Sequence, residues 1–337
     1  MRRNFIAVSA GLLVLAALGS TQLRSGEPTG DERRSAVAKA LPLLSKGTVG
    51  HIEQKTCFAC HNQALPLLAL TAARPLGFEY KEEDLQKQLK FINDFLGKNR
   101  ENFLKGKGTG GQGDTAGYAL FALDVGGWKP DANTAAVAEY LLLHQKDLDH
   151  WKVTSNRPPS EASHFTTSYL AIRGLRKYGT PEQQERIDKR IAQVRNWLIK
   201  TPAKDAEDRV FRLWALKAAG ADEKEIKLAV QEVLQAQRAD GGWSQLETLD
   251  SDAYATGSAL VVLHQAGGRA VTDAAYQKGV KFLLQTQKED GSWHVKSRSK
   301  PFQIYYETGF PHAKDQFISI AASSWATTAL TLACPPK

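Results

Sequence analysis

Apolar residues recur at helical spacing along most of the chain, in two alternating kinds of segment. One kind has a single apolar stripe and a charged outer face, near residues 32–46, 82–96, 132–146, 181–199, 223–238 and 273–288. The other kind is apolar nearly all round and rich in small residues. It occurs at His61–Leu70, Asp114–Leu123, Phe165–Leu175, Val210–Ala219, Asp252–Leu263 and Ile320–Leu330. Thr180-Pro181 with Gln183, and Asp222 with Glu225, have capping-box spacing and mark helix starts. Aligning the apolar segments on Ala69, Ala119, Ala171, Ala215, Ala259 and Ala326 gives spacings of 50, 52, 44, 44 and 67, so the last unit carries an insertion near 295–315. A helix pair with a broad apolar face must bury it against neighbours, and a ring of six does so without open ends. The pattern predicts an all-α chain, with residues 31–337 forming one closed α/α toroid (an α6/α6 barrel). Its inner helices are parallel, its polar helices lie outside, and residues 58–74 meet 317–332.

Within that pattern, Leu228–Trp243 matches Lys278–Trp293 at an offset of 50, down to Gln237/Gln287 and the Asp-Gly-x-Trp turns. Lys278-Gly279, Phe282-Leu283, Gln287, Gly291 and Trp293 resemble the QW repeat of squalene and oxidosqualene cyclases, whose α/α toroid is shared with protein prenyltransferase β subunits. The close resemblance covers about residues 220–333, and degenerate repeats extend it to about residue 32. It implies that Gln237, Trp243, Gln287 and Trp293 tie one helix end to the next turn.

The chain opens with Arg2-Arg3, an apolar run from Phe5 to Leu18 and a small-residue site at Ala17-Leu18-Gly19. Residues 1–30 therefore read as an export signal, with a retained membrane anchor as the alternative. Export to a periplasmic or extracellular location puts the cysteines in an oxidising compartment. Of the formal charge of +8, two positive charges belong to this leader. Acids and bases interleave elsewhere and no arginine-rich stripe appears, which argues against a nucleic-acid partner. The only Met is Met1, so Met ligation of a metal is excluded.

Parallel inner helices would gather their N-termini at one mouth, and with them Cys57, Cys60 and His61; Asp114; Glu161 and His164; Asp205 and Asp208; Asp250 and Asp252; and His312 and Asp315. An Asp at such a position commonly caps orphan N–H groups. Asp250-Ser-Asp252-Ala-Tyr-Ala resembles the acidic motif with which squalene cyclases protonate an alkene, except that Ala253 replaces its last Asp. Asp114-Thr-Ala116 reproduces only the motif's tail. That resemblance implies acid or base roles for Asp114, Asp250 and Asp252 on an isoprenoid, or on a glycan as in other exported α/α barrels. Full triterpene cyclisation, which uses two barrels, is not expected. Protein prenyltransfer would need zinc held by Asp, Cys and His on the barrel helices, and no Cys precedes Cys334 on the C-terminal ones.

Cys57-Phe-Ala-Cys60-His61 has c-type haem attachment spacing: two thiols for the vinyl groups and an adjacent imidazole for iron. His51 or His164 could complete the coordination, or iron could stay five-coordinate. A plain disulfide, a dithiol redox pair, and zinc on the Cys pair and His61 (as in the lantibiotic cyclase toroids that the ring also resembles) remain open. Gly106–Gly113 reads as a linker, not a phosphate loop, because it lacks the Gly-Lys-Ser/Thr ending. Tyr118, Phe165, Tyr169, Trp214, Tyr254 and Trp325 form either core or cavity wall. Three functions follow. One is a haem-binding or redox-linked module that takes an apolar, isoprenoid-like ligand or a redox partner, with membrane contact at the mouth. The second is an acid/base enzyme. The third is a cofactor-free scaffold with a Cys57–Cys60 disulfide.

Overall fold

A computed structural model describes residues 28–301 and 303–336; the leader reading lies outside them. Thirteen α-helices and no extended strand are found among the described residues: α1 Gly30–Gln54, α2 Leu65–Ala73, α3 Glu82–Lys98, α4 Arg100–Leu104, α5 Gln112–Val125, α6 Ala132–Leu143, α7 His164–Tyr178, α8 Gln184–Lys200, α9 Ala206–Ala218, α10 Glu223–Gln235, α11 Ala253–Gln265, α12 Ala274–Thr286 and α13 Gln316–Leu332. A π turn, Cys60–Ala64, runs directly into α2.

Helices α2, α5, α7, α9, α11 and α13 pack in that order, and α13 returns to α2, so the inner ring is closed. Their composition explains the position. In α11 every residue from Ala253 to Leu263 is buried, because the ring neighbours and the outer layer cover it from all sides. The outer helices bury one stripe, as Leu85, Gln88, Leu89, Ile92 and Leu96 do on α3. Helix α1 runs past the predicted end at 46 to Gln54. Its extra turns place Gly47 against Ile320 of α13 and Gly50 against the Thr308 carbonyl, contacts that the stripe pattern alone does not reveal. At the next start signals, the Gln183 side chain accepts from the Thr180 N–H as predicted, whereas Asp222 makes no side-chain cap bond.

The repeat residues act as ties. Gln237 Nε2 donates to the carbonyls of Gly241 and Ala275, joining its turn to α12 (2.9 and 2.8 Å). Gln287 Nε2 donates to Gly291 and to Ala36 of α1, both at 2.9 Å, so the last turn grips the first helix. Gly241 (φ +88°) and Gly291 (φ +93°) need positive φ, and a Cβ there would lie 2.7 and 2.6 Å from the carbonyls of Lys278 and Lys39. Trp243 and Trp293 each donate Nε1–H to a carbonyl ten residues back, Val233 and Leu283. Trp151 does the same to Leu141, revealing a third turn of this kind.

Candidate functional site

The inner-helix N-termini do meet at one mouth. The rings of His61 and Phe317, from the first and last repeats, lie 5.1 Å apart. Hydroxyl–carboxyl bonds link the others: Thr167 to Asp114, Ser163 to Asp208 (2.6 Å), and Thr166 to Glu207 (2.9 Å). Insertion residues Ser297, Lys300, Pro301 and Tyr305 roof the mouth.

The Cys57–His61 segment is held from below. His51, buried on α1, contacts the Cys57 carbonyl through Nε2 (2.8 Å) and the Tyr306 hydroxyl through Nδ1 (2.9 Å). The Nε2 contact requires a proton on Nε2, so Nδ1 accepts from Tyr306 and neither ring nitrogen is free to bind a metal. In the π turn, Gln63 accepts from Ala59 N–H (3.0 Å) and donates to Gln88 (2.9 Å). This fixes Cys60 and His61 at the start of α2. Cys57 is exposed and Cys60 is buried. Burial, reinforced by the Glu161 charge, pushes the Cys60 thiol well up. Burial, then the charges of His51 and Arg157, pull His61 down to about 3, so its imidazole is neutral at physiological pH. Its Nε2 is buried and makes no hydrogen bond.

Two cavities share His61, Arg157 and Glu161 as walls. One, of about 480 Å³, runs over the apolar residues Phe317, Ile318 and Ala321. The other, of about 340 Å³, is lined by His51, Cys57, Cys60 and Tyr306. Arg157 and Glu161 pair through both backbone and side chains across the turn they bound. Burial raises Glu161 to about 7 against the pull of Arg157. Asp114, 1% exposed, is raised to about 6 by burial, which its bond from Thr167 opposes. Behind them Glu207 accepts from Thr166 and, at 3.4 Å, from Tyr254, while its second oxygen makes no hydrogen bond; burial raises it to about 8. Near neutral pH Glu207 is thus held largely protonated and Glu161 about half so inside the barrel, while Asp114 is mostly ionised despite its shift.

The other sequence candidates are placed elsewhere. Asp250 is exposed and lines neither cavity. Asp252 caps α11, accepting from the N–H groups of Tyr254 (2.8 Å) and Ala255 (3.0 Å) and from Gln245. His164 accepts from Val153 N–H (3.1 Å), packs beside His150, and lines neither cavity. Tyr169 stacks on Trp214 (4.9 Å), and Phe211 and Trp325 complete a core along the axis. Sequence reasoning missed Glu207 and the pairing role of Arg157. In Asp205-Ala-Glu-Asp208 three acids crowd one helix start, and nothing in the string says that Glu207 turns inward while Asp205 caps.

Residues 207–331 match the family model described as the squalene-hopene cyclase C-terminal domain. Comparison with curated proteins found no match. The type II terpene cyclase MstE from Scytonema, without ligand, superposes with TM-score 0.54 at 16% identity, over 92% of this chain and 100% of that one. A variant of MstE in complex with geranylgeranyl dihydroxybenzoate gives 0.55 at 15%, over 91% and 99%. A possible GH105 family member from Klebsiella pneumoniae gives 0.50 at 10% identity, over 96% and 99%. At these identities the likeness is one of fold, and the chain is an all-helical α/α toroid.

Proposed function

We propose that the protein is an exported haem-carrying toroid, a redox-linked module whose larger cavity takes an apolar, isoprenoid-like ligand. One observation carries this reading. The neutral imidazole of His61 leaves a buried Nε2 without a hydrogen bond, in the wall of the cavity that both Cys57 and Cys60 also line. Cys57 and Cys60 would supply the thioether links and His61 the axial nitrogen; bound haem supplies one-electron exchange. His51 acts behind them, its ring holding the Cys57 carbonyl so that the attachment turn is preformed. A zinc site has less support, since no three His, Cys, Asp or Glu side chains among the described residues converge to hold a metal ion. Expression in a host with haem-maturation machinery tests the proposal. A Soret band that survives acid–acetone extraction, and its loss in Cys57→Ser/Cys60→Ser, are expected. Colourless protein with the mass of a disulfide overturns it.

Buried Glu207, and Glu161 in the wall of both cavities, support a second reading, acid catalysis on an isoprenoid. A carboxylic acid kept protonated at neutral pH is what protonation of an alkene requires. MstE variants bind geranylgeranyl dihydroxybenzoate and its product merosterolic acid A, which makes linear isoprenoids the first compounds to try. Conversion of a geranylgeranyl substrate that disappears in Glu161→Gln would favour this reading over the haem module.

A further inference from the structure

The turn that carries Cys60 and His61 is covered by residues that come much later in the chain. It packs against α1, α2, α5 and α13. The His61 ring meets Phe317 of α13 at 5.1 Å, and Asn62 Nδ2 donates to the Tyr306 hydroxyl at 3.2 Å, a bond that spans 244 positions. His51 reaches the same hydroxyl across 255 positions, and Lys55 lies over the Tyr306 ring at 4.5 Å. Tyr306 belongs to the insertion of the last unit, and so does Gln303, the other late wall of the cavity that both cysteines border. Without that insertion the cavity is an open groove. The two thiols fare differently under the finished cover: Cys57 stays exposed, whereas Cys60 is 4% exposed.

We infer that Cys60 takes its thioether link only while the ring is open, so that attachment precedes docking of the last unit, which then seals the turn through Tyr306 and Phe317. The inference rests on the haem reading and adds an order of events to it. Each link forms when a thiol adds across a vinyl group of the porphyrin. The S–H bond breaks, a C–S bond forms at the vinyl carbon next to the macrocycle, and the proton ends on the outer carbon, with no net oxidation or reduction. The sulfur must therefore come within bonding distance of a bulky planar reactant, and a close-packed interior gives Cys60 no such approach. In the closed ring only Cys57 is within reach. The reaction that comes before closure is thus thiol addition on an incomplete fold, and a chain that closes too early keeps both thiols, one of them on its surface.

4-Vinylpyridine offers thiols the same kind of vinyl group without a porphyrin. On the reduced, haem-free chain it should modify Cys60 at least about tenfold more slowly than Cys57, and the difference should vanish in urea. Gln287→Leu, which removes the last turn's grip on α1, should speed the Cys60 reaction about tenfold. The order itself is tested in a host whose haem-maturation machinery is induced late, with dithiothreitol present so that no disulfide forms. Peptide masses should show two thioethers on chains made after induction, and a free Cys60 thiol on chains that folded before it. Equal loading of the two pools, or a Cys60 rate that urea or Gln287→Leu leaves unchanged, would overturn the inference and leave the haem reading standing. Haem-free chains in the later pool would overturn both.

Discussion

Replacing Glu207 by Gln isolates the cost of a buried acid whose carboxyl is raised to about 8. The side chain is 5% exposed, and burial, with the charges of Asp205 and Asp208, raises its pKa from 4.5 to about 8, against the bonds from Thr166 and Tyr254. Between those two values the folded chain holds a proton that the unfolded chain has released. Stability is therefore highest below the unfolded value and falls as pH rises through the folded one. The span is 8 − 4.5 = 3.5 pH units, so at about 1.4 kcal/mol per unit the loss has a ceiling of about 5 kcal/mol. Water reaching the ionised group should reduce it to about 2–4 kcal/mol. Gln keeps the acceptor for Thr166 and stays neutral, but adds an amide without an acceptor at about 1 kcal/mol. Urea denaturation from pH 4 to 9 should then show Glu207→Gln about 1 kcal/mol less stable at the acid end and more stable from neutrality upward, with the curves crossing at about pH 5, where the loss first matches that cost. Glu161 titrates in both proteins and cancels in the difference. Parallel curves would show that Glu207 is ionised in the fold and refute the reasoning.

Two further outcomes are expected. Gln287→Leu removes two hydrogen bonds at the seam and should cost about 2 kcal/mol, with faster amide exchange in α1. A neutral effect there, beside a cost for Gln237→Leu, would show that the seam is held otherwise. In the reduced, haem-free chain, iodoacetamide should modify exposed Cys57 well before buried Cys60 and Cys334; equal rates, read by mass spectrometry of peptides, would contradict the burial of Cys60.

The toroid was legible because its period is written twice, in apolar stripes and in the Gln/Trp turns, and both survive divergence in single repeats. The turn at Trp151 was less legible, since Asp149 stands in place of the Gly and Gln145, though it keeps the spacing of Gln237 and Gln287, bonds to the main chain of Lys152 instead of a neighbouring helix; the ten-residue reach to Leu141 remains. The site was partly legible. Cys57, Cys60, His61 and Asp114 come together because parallel helices force it. Asp250 and Asp252 were drawn in by motif likeness, but in the fold one is solvent-facing and the other serves its own helix. The identity of the inward acid is set by side-chain rotation at crowded helix starts, which residue order does not encode.

The bond from Gln287 to Ala36 spans 251 positions, and it distinguishes this ring from a stack of repeats. An open array can gain or lose a unit and remain a shorter or longer array. Here a deletion or duplication would leave the final turn facing the wrong helix, so the number of repeats is fixed by geometry. The same bond gives the fold a last step: no partial chain, whether emerging from a ribosome or crossing a membrane, can complete the ring before its C-terminal repeat arrives. Until then the inner faces of α2 and α13 lack each other's cover, and the first repeat must wait for the last.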